Sequence, residues 1–354
     1  MNRYSSILQS TLLSMSMSMA WVGALLLAAA LSSAHAQKPA NLPGGYPNKP
    51  IKILIPLAAG GGVDTLARTV GQKLGERWGV GVVVDNQPSA GGVLAMNMLA
   101  QATPDGYTLL STGSQMELVT VYYRAGWNKD KPGMSPNFDA LKTFEPIVEM
   151  TSQPYLLVVP SSLPARSIKE LVALARSKPG ELNYSSAGIG TPGHLGHEYF
   201  NTLAGVKITH VPYKGGGGAA LTDLLAGRVQ LTFLTTLTAT GMVKNGSVRA
   251  LGVTSQKRLG NMPDLPTIAE SGMPEFEMSN AYGLFGTGKI PAAILNAINK
   301  EVTEVLFLPE LKARFMADGA EPQPSHTPAQ YRAKLERNAA RWASVVESSG
   351  IKPE

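Results

Sequence analysis

The chain has 354 residues, of which 44% are hydrophobic and 16% are charged, a composition that excludes intrinsic disorder and suffices for about two domains. Its net charge is +6, from 31 basic and 25 acidic residues that are scattered among one another, so we expect no nucleic-acid partner. The absence of cysteine excludes disulfides, lipoprotein attachment and thiolate chemistry.

The first 36 residues have the pattern of an export signal. Arg3 precedes an uncharged stretch whose most apolar part is residues 20–31, and Ala34, His35 and Ala36 form a small-x-small cleavage site. We expect cleavage before Gln37 and a mature protein in the periplasm. A retained N-terminal membrane anchor is the alternative.

After this segment, strand and helix patterns alternate, which predicts an α/β fold with parallel sheets covered by helices. Ser167 and Glu170 form a capping-box pattern for a helix that stops at Pro179 and Gly180. Long helices are predicted at 291–308 and 327–347. Strands are predicted at 51–55, 82–84, 107–110, 155–159, 182–185, 208–211, 229–234 and 250–254.

The segment after the first strand is rich in small residues and leads directly into an amphipathic helix. Backbone amides at such a loop and helix start converge on one point, where the helix dipole favours an anion. Asp64 is either the N-cap of this helix or a ligand contact. The predicted binding residues are Leu57, Ala58, Ala59, Gly60, Gly61, Gly62 and Asp64.

A second segment of the same kind follows the strand at 182–185. Thr191 and Pro192 are typical of an N-cap and a first helical residue. The glycines match the dinucleotide pattern GxGxxG, but the acidic residue expected about 20 positions later is absent. The predicted binding residues here are Ser186, Ala187, Gly188, Gly190, Thr191 and His194, the last with a structural role as the alternative.

Six segments closely resemble, in their order, the Bug receptors, which are the extracytoplasmic solute receptors of the tripartite tricarboxylate transporter family. They read PIKILIPLAAGGGVD, VVVDNQPSAGG, PDGYTLL, SSAGIGTPGH, VPYKGGGGAALTDLLAGRV and DLPTIAESGMP. The resemblance implies a two-lobed periplasmic-binding-protein type II (Venus flytrap) fold. Lobe one would combine residues 46–150 with 253–354, and lobe two would be 151–252.

The resemblance also places the polar loop that contains Ser111, Ser114 and Gln115 beside the cleft between the lobes. Lys214, in a glycine-rich loop, either neutralises a ligand or faces solvent. The partners implied are a small-molecule carboxylate and membrane transporter subunits or a membrane sensor, with the receptor itself a monomer.

Enzymatic patterns are incomplete. Gly283 to Lys289 spells GxxxxGK, but Ile290 stands where a nucleotide loop needs Ser or Thr, and Tyr184 replaces the first glycine of GxSxG around Ser186. His194, His197 and Glu198 do not have the zinc-protease order. We therefore expect no cofactor and no metal, and a receptor that captures a small carboxylate. The alternative is a secreted hydrolase or isomerase acting on a small organic acid.

Overall fold

A computed structural model describes residues 43–57, 59, 62–89, 92–127, 136–186, 188–213, 217–317, 319–323 and 326–351. All of these except Arg77–Gly79 belong to a single compact unit. The predicted signal segment and its cleavage site lie outside the described residues.

Strands and helices alternate along the described chain, which confirms the predicted α/β class. The strands are β1 (Ile51–Ile55), β2 (Val82–Asn86), β3 (Thr108–Thr112), β4 (Phe144–Pro160), β5 (Asn183–Ser186), β6 (Thr209–Pro212), β7 (Leu231–Thr235), β8 (Val248–Val253), β9 (Ser279–Thr287) and β10 (Glu321–Pro322). The helices are α1 (Gly62–Trp78), α2 (Val93–Ala100), α3 (Gln115–Arg124), α4 (Ala140–Thr143), α5 (Ile168–Ser177), α6 (Pro192–Ala204), α7 (Gly217–Leu225), α8 (Thr236–Lys244), α9 (Ala292–Leu306), α10 (Pro309–Ala317) and α11 (Pro328–Ser349).

The strands follow the order β2-β1-β3-β9-β4-β7-β5-β6, and β8 and β10 also pair with β4. At one end β1 is parallel to β2 and β3, and at the other end β5 is parallel to β6 and β7. In the middle, β9 and β4 run antiparallel to their neighbours. The prediction of parallel sheets is therefore correct at the two ends and wrong at the centre.

The central strand β4 is much longer than the predicted strand at 155–159. Its first part pairs with β9, from Phe144 opposite Thr287 to Pro154 opposite Ser279, and from Tyr155 onward it pairs with β7. The Tyr155 amide also donates to Thr254 Oγ1 at 2.8 Å, next to the end of β8. β9 itself was not predicted. The lobe boundaries at 151 and 253 stay a prediction.

Local capping signals fix several helix starts. Thr327 and Gln330 form a reciprocal capping box at α11. Ser167 Oγ accepts from the Glu170 amide at 3.1 Å, as predicted, but the Glu170 carboxylate accepts from the Arg166 amide at 2.7 Å instead of returning to Ser167. The long helix predicted at 291–308 ends earlier, and α10 begins as a separate helix.

Helix α11 packs on β4 and α3, and this contact buries two carboxyl groups. Both oxygens of Glu149 accept from Lys334 Nζ at 2.8 Å. Glu117 Oε1 accepts from Asn338 Nδ2 at 3.2 Å, while its Oε2 has no hydrogen-bond partner within the described part of the chain. Burial raises the pKa of Glu117 to about 7, and the nearby Glu149 carboxylate adds to this effect.

Candidate functional site

The candidate site is a cavity of about 340 Å3 between α3, β9 and the loop that leads into α6. Its size falls in the range of small-molecule sites. Residue 155 of the central strand and the loop after β1 complete the wall. The lining residues are Leu57, Gly113, Ser114, Gln115, Leu118, Val119, Tyr122, Tyr155, Ile189, Gly190, Thr191, Pro192, Asn280 and Tyr282.

Helix α3 forms one wall with a single face. Gln115, Leu118, Val119 and Tyr122 line the cavity, and their i, i+3, i+4, i+7 spacing places them in one stripe along the helix. The stripe begins with an amide side chain at the helix N-terminus and becomes aliphatic and then aromatic. It covers about 10 Å, since an α-helix rises 1.5 Å per residue.

The start of α3 is open towards the cavity. Its N-cap, Ser114, makes no side-chain capping bond. Ser114 Oγ donates to the Ser279 carbonyl oxygen at 3.0 Å. Both Ser114 and Gln115 line the cavity. The Met116 amide donates to the Gly113 carbonyl oxygen at 3.2 Å. The Gln115 backbone amide, the first of the helix, together with the Gln115 side chain and the helix dipole, can hold an anion at this end.

Two side chains of β9 face the same end of the cavity. Asn280 Nδ2 donates to the Tyr282 hydroxyl oxygen at 2.8 Å. A Cβ on Gly113 would lie 2.9 Å from Asn280 Oδ1 and 3.3 Å from the Tyr282 ring, and one on Gly62 would lie 2.8 Å from the Tyr282 hydroxyl oxygen. Glycine at positions 62 and 113 is therefore what lets the Tyr282 ring pack against both loops.

The loop into α6 is held by its own side chains and by α3. The Tyr122 hydroxyl donates to the Gly190 carbonyl oxygen, and the Gly190 amide donates to His194 Nδ1 at 3.0 Å. The Thr191 amide donates to the Gly188 carbonyl oxygen at 3.3 Å, and the His194 amide donates to Thr191 Oγ1 at 3.5 Å. Since Pro192 has no N–H, most amides at this helix start already have acceptors within the protein.

A stack of aromatic rings supports this loop from behind. The His194 and His210 ring centroids are 3.9 Å apart, and those of His197 and Tyr184 are 4.2 Å apart. Burial lowers the pKa of His194 to about 4 and that of His197 to about 3. Both imidazoles are therefore neutral near pH 7, and His194 Nδ1 can accept the Gly190 amide proton.

The three cavity tyrosines are neutral as well. Burial raises the pKa of Tyr122, Tyr155 and Tyr282 above the ordinary value of 10.0. The Tyr155 and Tyr282 hydroxyl groups can act as hydrogen-bond donors, whereas that of Tyr122 already donates to Gly190. All three rings provide broad apolar faces.

The predicted binding residues fall into three groups. Five of them line the cavity: Leu57, Ser114, Gln115, Gly190 and Thr191. A second group is described but does not line it: Ala59, Gly62, Asp64, Ser111, Ser186, Gly188 and His194. A third group lies outside the described residues: Ala58, Gly60, Gly61, Ala187 and Lys214. A ligand contact by any of them stays a prediction.

Asp64 lies in the first turn of α1 and is 3% exposed. Its carboxylate accepts from Arg68 Nε at 3.1 Å and from Asn86 Nδ2 at 2.9 Å. Asn86 Nδ2 also donates to the Leu57 carbonyl oxygen at 3.1 Å. Through Asn86, Asp64 ties the end of β2 to the loop that carries Leu57.

Sequence reasoning missed most of the aromatic and aliphatic wall. The α3 stripe has the spacing of any amphipathic helix, which does not say what the stripe faces. Asn280 and Tyr282 have the period-two spacing of a strand face, but β9 itself was not recognised. The residues missed are Gly113, Leu118, Val119, Tyr122, Tyr155, Ile189, Pro192, Asn280 and Tyr282.

Within the described ranges, no helix is both long enough and apolar enough to span a bilayer. In the same residues, no group of three or more His, Asp or Glu side chains is arranged to hold a metal ion.

Comparison with known proteins gives consistent matches. A family model described as tripartite tricarboxylate transporter family receptor matches residues 66–351. An R. palustris protein solved with adipate has a TM-score of 0.72 at 32% identity, over 87% of this chain and 100% of that chain. The periplasmic binding protein BugD has a TM-score of 0.70 at 30% identity, over 87% and 100%. MatC from Rhodopseudomonas palustris with bound malate has a TM-score of 0.68 at 28% identity, over 85% and 100%. These matches confirm the predicted resemblance and fold class.

Proposed function

Because the chain belongs to the tripartite tricarboxylate transporter receptor family, we propose that it is a periplasmic receptor that captures a small carboxylate in the cavity beside α3. The family and fold are those of solute-binding receptors. Two similar structures were solved with adipate and with malate, which supports a carboxylate as the ligand here.

The observation that carries the proposal is the open start of α3. A carboxylate placed there would accept from the Gln115 backbone amide and from the side-chain amides of Gln115 and Asn280, which line the same cavity. Neutral donors of this kind replace the water around the ligand without adding a charge to the pocket.

Calorimetric titration with small carboxylates, with neutral sugars as the control, tests this function. We expect carboxylates to bind and sugars to give no heat. A ligand at about 100 times its dissociation constant should also stabilise the protein by roughly 2.7 kcal/mol, which a thermal-shift assay detects. Stabilisation by sugars with no response to any carboxylate would contradict the proposal.

The hydrolase alternative has one specific observation in its favour. Ser186 Oγ lies 2.7 Å from His210 Nε2, a distance suited to a nucleophile and its base. The same oxygen also contacts the Gly188 amide at 3.1 Å and the Gly188 carbonyl oxygen at 3.0 Å, and neither Ser186 nor His210 lines the cavity. Recovery of unchanged ligand after prolonged incubation would support the receptor, whereas turnover would support the enzyme.

Export with a cleaved signal is part of the proposal. Mass spectrometry of the protein purified from the periplasm should find Gln37 as the first residue. An N-terminus upstream of residue 37 on membrane-bound protein would instead support the retained anchor.

Transfer of the ligand to a transporter would require closure of the two predicted lobes. The cavity wall combines Tyr122 and Tyr282 from predicted lobe one with Gly190 and Tyr155 from predicted lobe two, so a ligand that contacts all of them gains affinity on closure. The chain has no cysteine, which permits site-specific labels at Lys73→Cys and Lys178→Cys. We expect a shorter distance with ligand; an unchanged distance at saturation would contradict closure.

A further inference from the structure

The two helix starts near the cavity differ in how many hydrogen bonds they can still offer. At α6 the amides of Gly190, Thr191 and His194 donate within the protein, and Pro192 has no N–H. At α3 the Met116 amide also donates within the protein, to the Gly113 carbonyl oxygen at 3.2 Å, but Ser114 provides no side-chain cap and the side-chain amides of Gln115 and Asn280 line the cavity. The ends of the cavity therefore differ in their side-chain donors. The α3 end has the amides of Gln115 and Asn280, whereas at the α6 end the hydroxyls of Tyr122 and Thr191 donate to backbone carbonyl oxygens of the protein.

The wall between these ends becomes steadily less polar. Along α3 it passes from Gln115 through Leu118 and Val119 to Tyr122, over about 10 Å. Ile189 and Pro192 line the cavity near the far end, where Tyr122 bonds to Gly190. A second carboxylate reaching that end would lose water without gaining equivalent donors, which is costly for a charged group.

Three aromatic side chains contribute to the cavity wall. Tyr122, Tyr155 and Tyr282 all line the cavity. The Tyr282 ring is fixed against Gly62 and Gly113, and the Tyr122 ring stacks on Trp127 with a centroid distance of 5.1 Å. Rings held in this way offer a planar ligand offset or edge contacts without further loss of side-chain freedom. None of the described lining residues is charged.

We infer that the ligand is an aromatic monocarboxylate, whose carboxylate sits at the start of α3 and whose ring lies among the three tyrosines. This inference rests on the proposed receptor function and specifies the ligand class of the same cavity.

Calorimetric titration with 3-phenylpropionate, hexanoate, adipate and malate tests it. Adipate differs from hexanoate mainly in a second carboxylate, so this pair measures the cost of the second charge. Hexanoate lacks the ring and has three fewer carbons than 3-phenylpropionate, so that pair measures the whole contribution of the ring, including its apolar area, and the ring-deletion variants assign that contribution to the tyrosines. We expect 3-phenylpropionate to bind most tightly, hexanoate about tenfold more weakly, and both dicarboxylates more weakly than hexanoate.

Two variants locate the ring contact. Tyr282→Phe keeps the ring and should preserve the preference for 3-phenylpropionate over hexanoate. Tyr282→Leu should reduce that preference by about tenfold. Circular dichroism checks that both variants fold. If Tyr282→Leu does not fold, Tyr155→Leu provides a second ring deletion for the same comparison.

Each outcome decides between the proposals. Adipate or malate binding as tightly as hexanoate, or hexanoate binding as tightly as 3-phenylpropionate, overturns the inference and leaves the receptor function standing. The inference is also overturned if Tyr282→Leu and Tyr155→Leu both fold and each keeps the full preference for 3-phenylpropionate over hexanoate. If none of the four acids binds, the receptor function fails together with the inference.

Discussion

Replacing Glu117 with glutamine should change how the stability of the protein depends on pH. The carboxyl is 2% exposed and one of its oxygens has no partner in the described chain. Its pKa of about 7, against 4.5 in an exposed glutamate, means that the folded protein holds this proton more tightly than the unfolded chain. The resulting stabilisation is fully present below pH 4.5 and is lost as the pH rises through 7.

The size of the effect follows from the same two values. At about 1.4 kcal/mol per pKa unit, the interval from 4.5 to about 7 corresponds to on the order of 3 kcal/mol. Glu117→Gln keeps the shape and the neutral charge of the protonated acid. The variant should therefore match the natural protein near pH 4.5 and exceed its stability by up to this amount above pH 7.

Urea unfolding followed by circular dichroism, at half-unit steps from pH 4.5 to 8, measures this difference. Subtracting the two proteins removes contributions that they share, including those of the buried histidines, whose depressed pKa values act in the opposite direction. Glu347→Gln, at an exposed position on α11, is the control and should stay within about 0.5 kcal/mol of the natural protein. A Glu117→Gln difference that is constant across the range would refute the reasoning.

Three further substitutions test individual contacts. Tyr122→Phe leaves a buried carbonyl oxygen without its donor and should lower the unfolding free energy by about 1–3 kcal/mol. The control, Tyr123→Phe at the adjacent position, should lower it by less than about 0.5 kcal/mol. Equal losses for the two variants in urea unfolding would contradict this prediction. Gly62→Ala puts a methyl group 2.8 Å from a cavity tyrosine's hydroxyl oxygen and should weaken carboxylate binding by about tenfold or more. Gly241→Ala, with no atom within 4 Å, should bind normally in the same calorimetric assay. Lys334→Met leaves a buried carboxylate unpaired and should lower the unfolding free energy by about 3 kcal/mol, while a loss below 0.5 would show that the pair matters little.

Features that depend on a few neighbouring residues could be predicted from the sequence. The N-cap at Thr191, the helix start near residue 327 and the strand at 51–55 lie where the sequence indicates, because a helix start or a short apolar strand is decided within about one turn of chain. The ordered family motifs also identified the receptor fold and the loops beside the cavity.

Only the tertiary structure decided what those loops contact. The glycine at position 62 is obvious in the sequence, but the ring that it admits belongs to Tyr282, which lies 220 residues away on a strand that was not predicted. Likewise, Thr191 and Pro192 indicate a helix start, but Gly188, His194 and Thr191 itself accept from its amides. The uncapped helix start, with the Gln115 and Asn280 side-chain amides beside it, is that of α3. Local sequence fixes which backbone groups a helix start exposes, whereas packing between distant segments determines whether the protein or a ligand satisfies them.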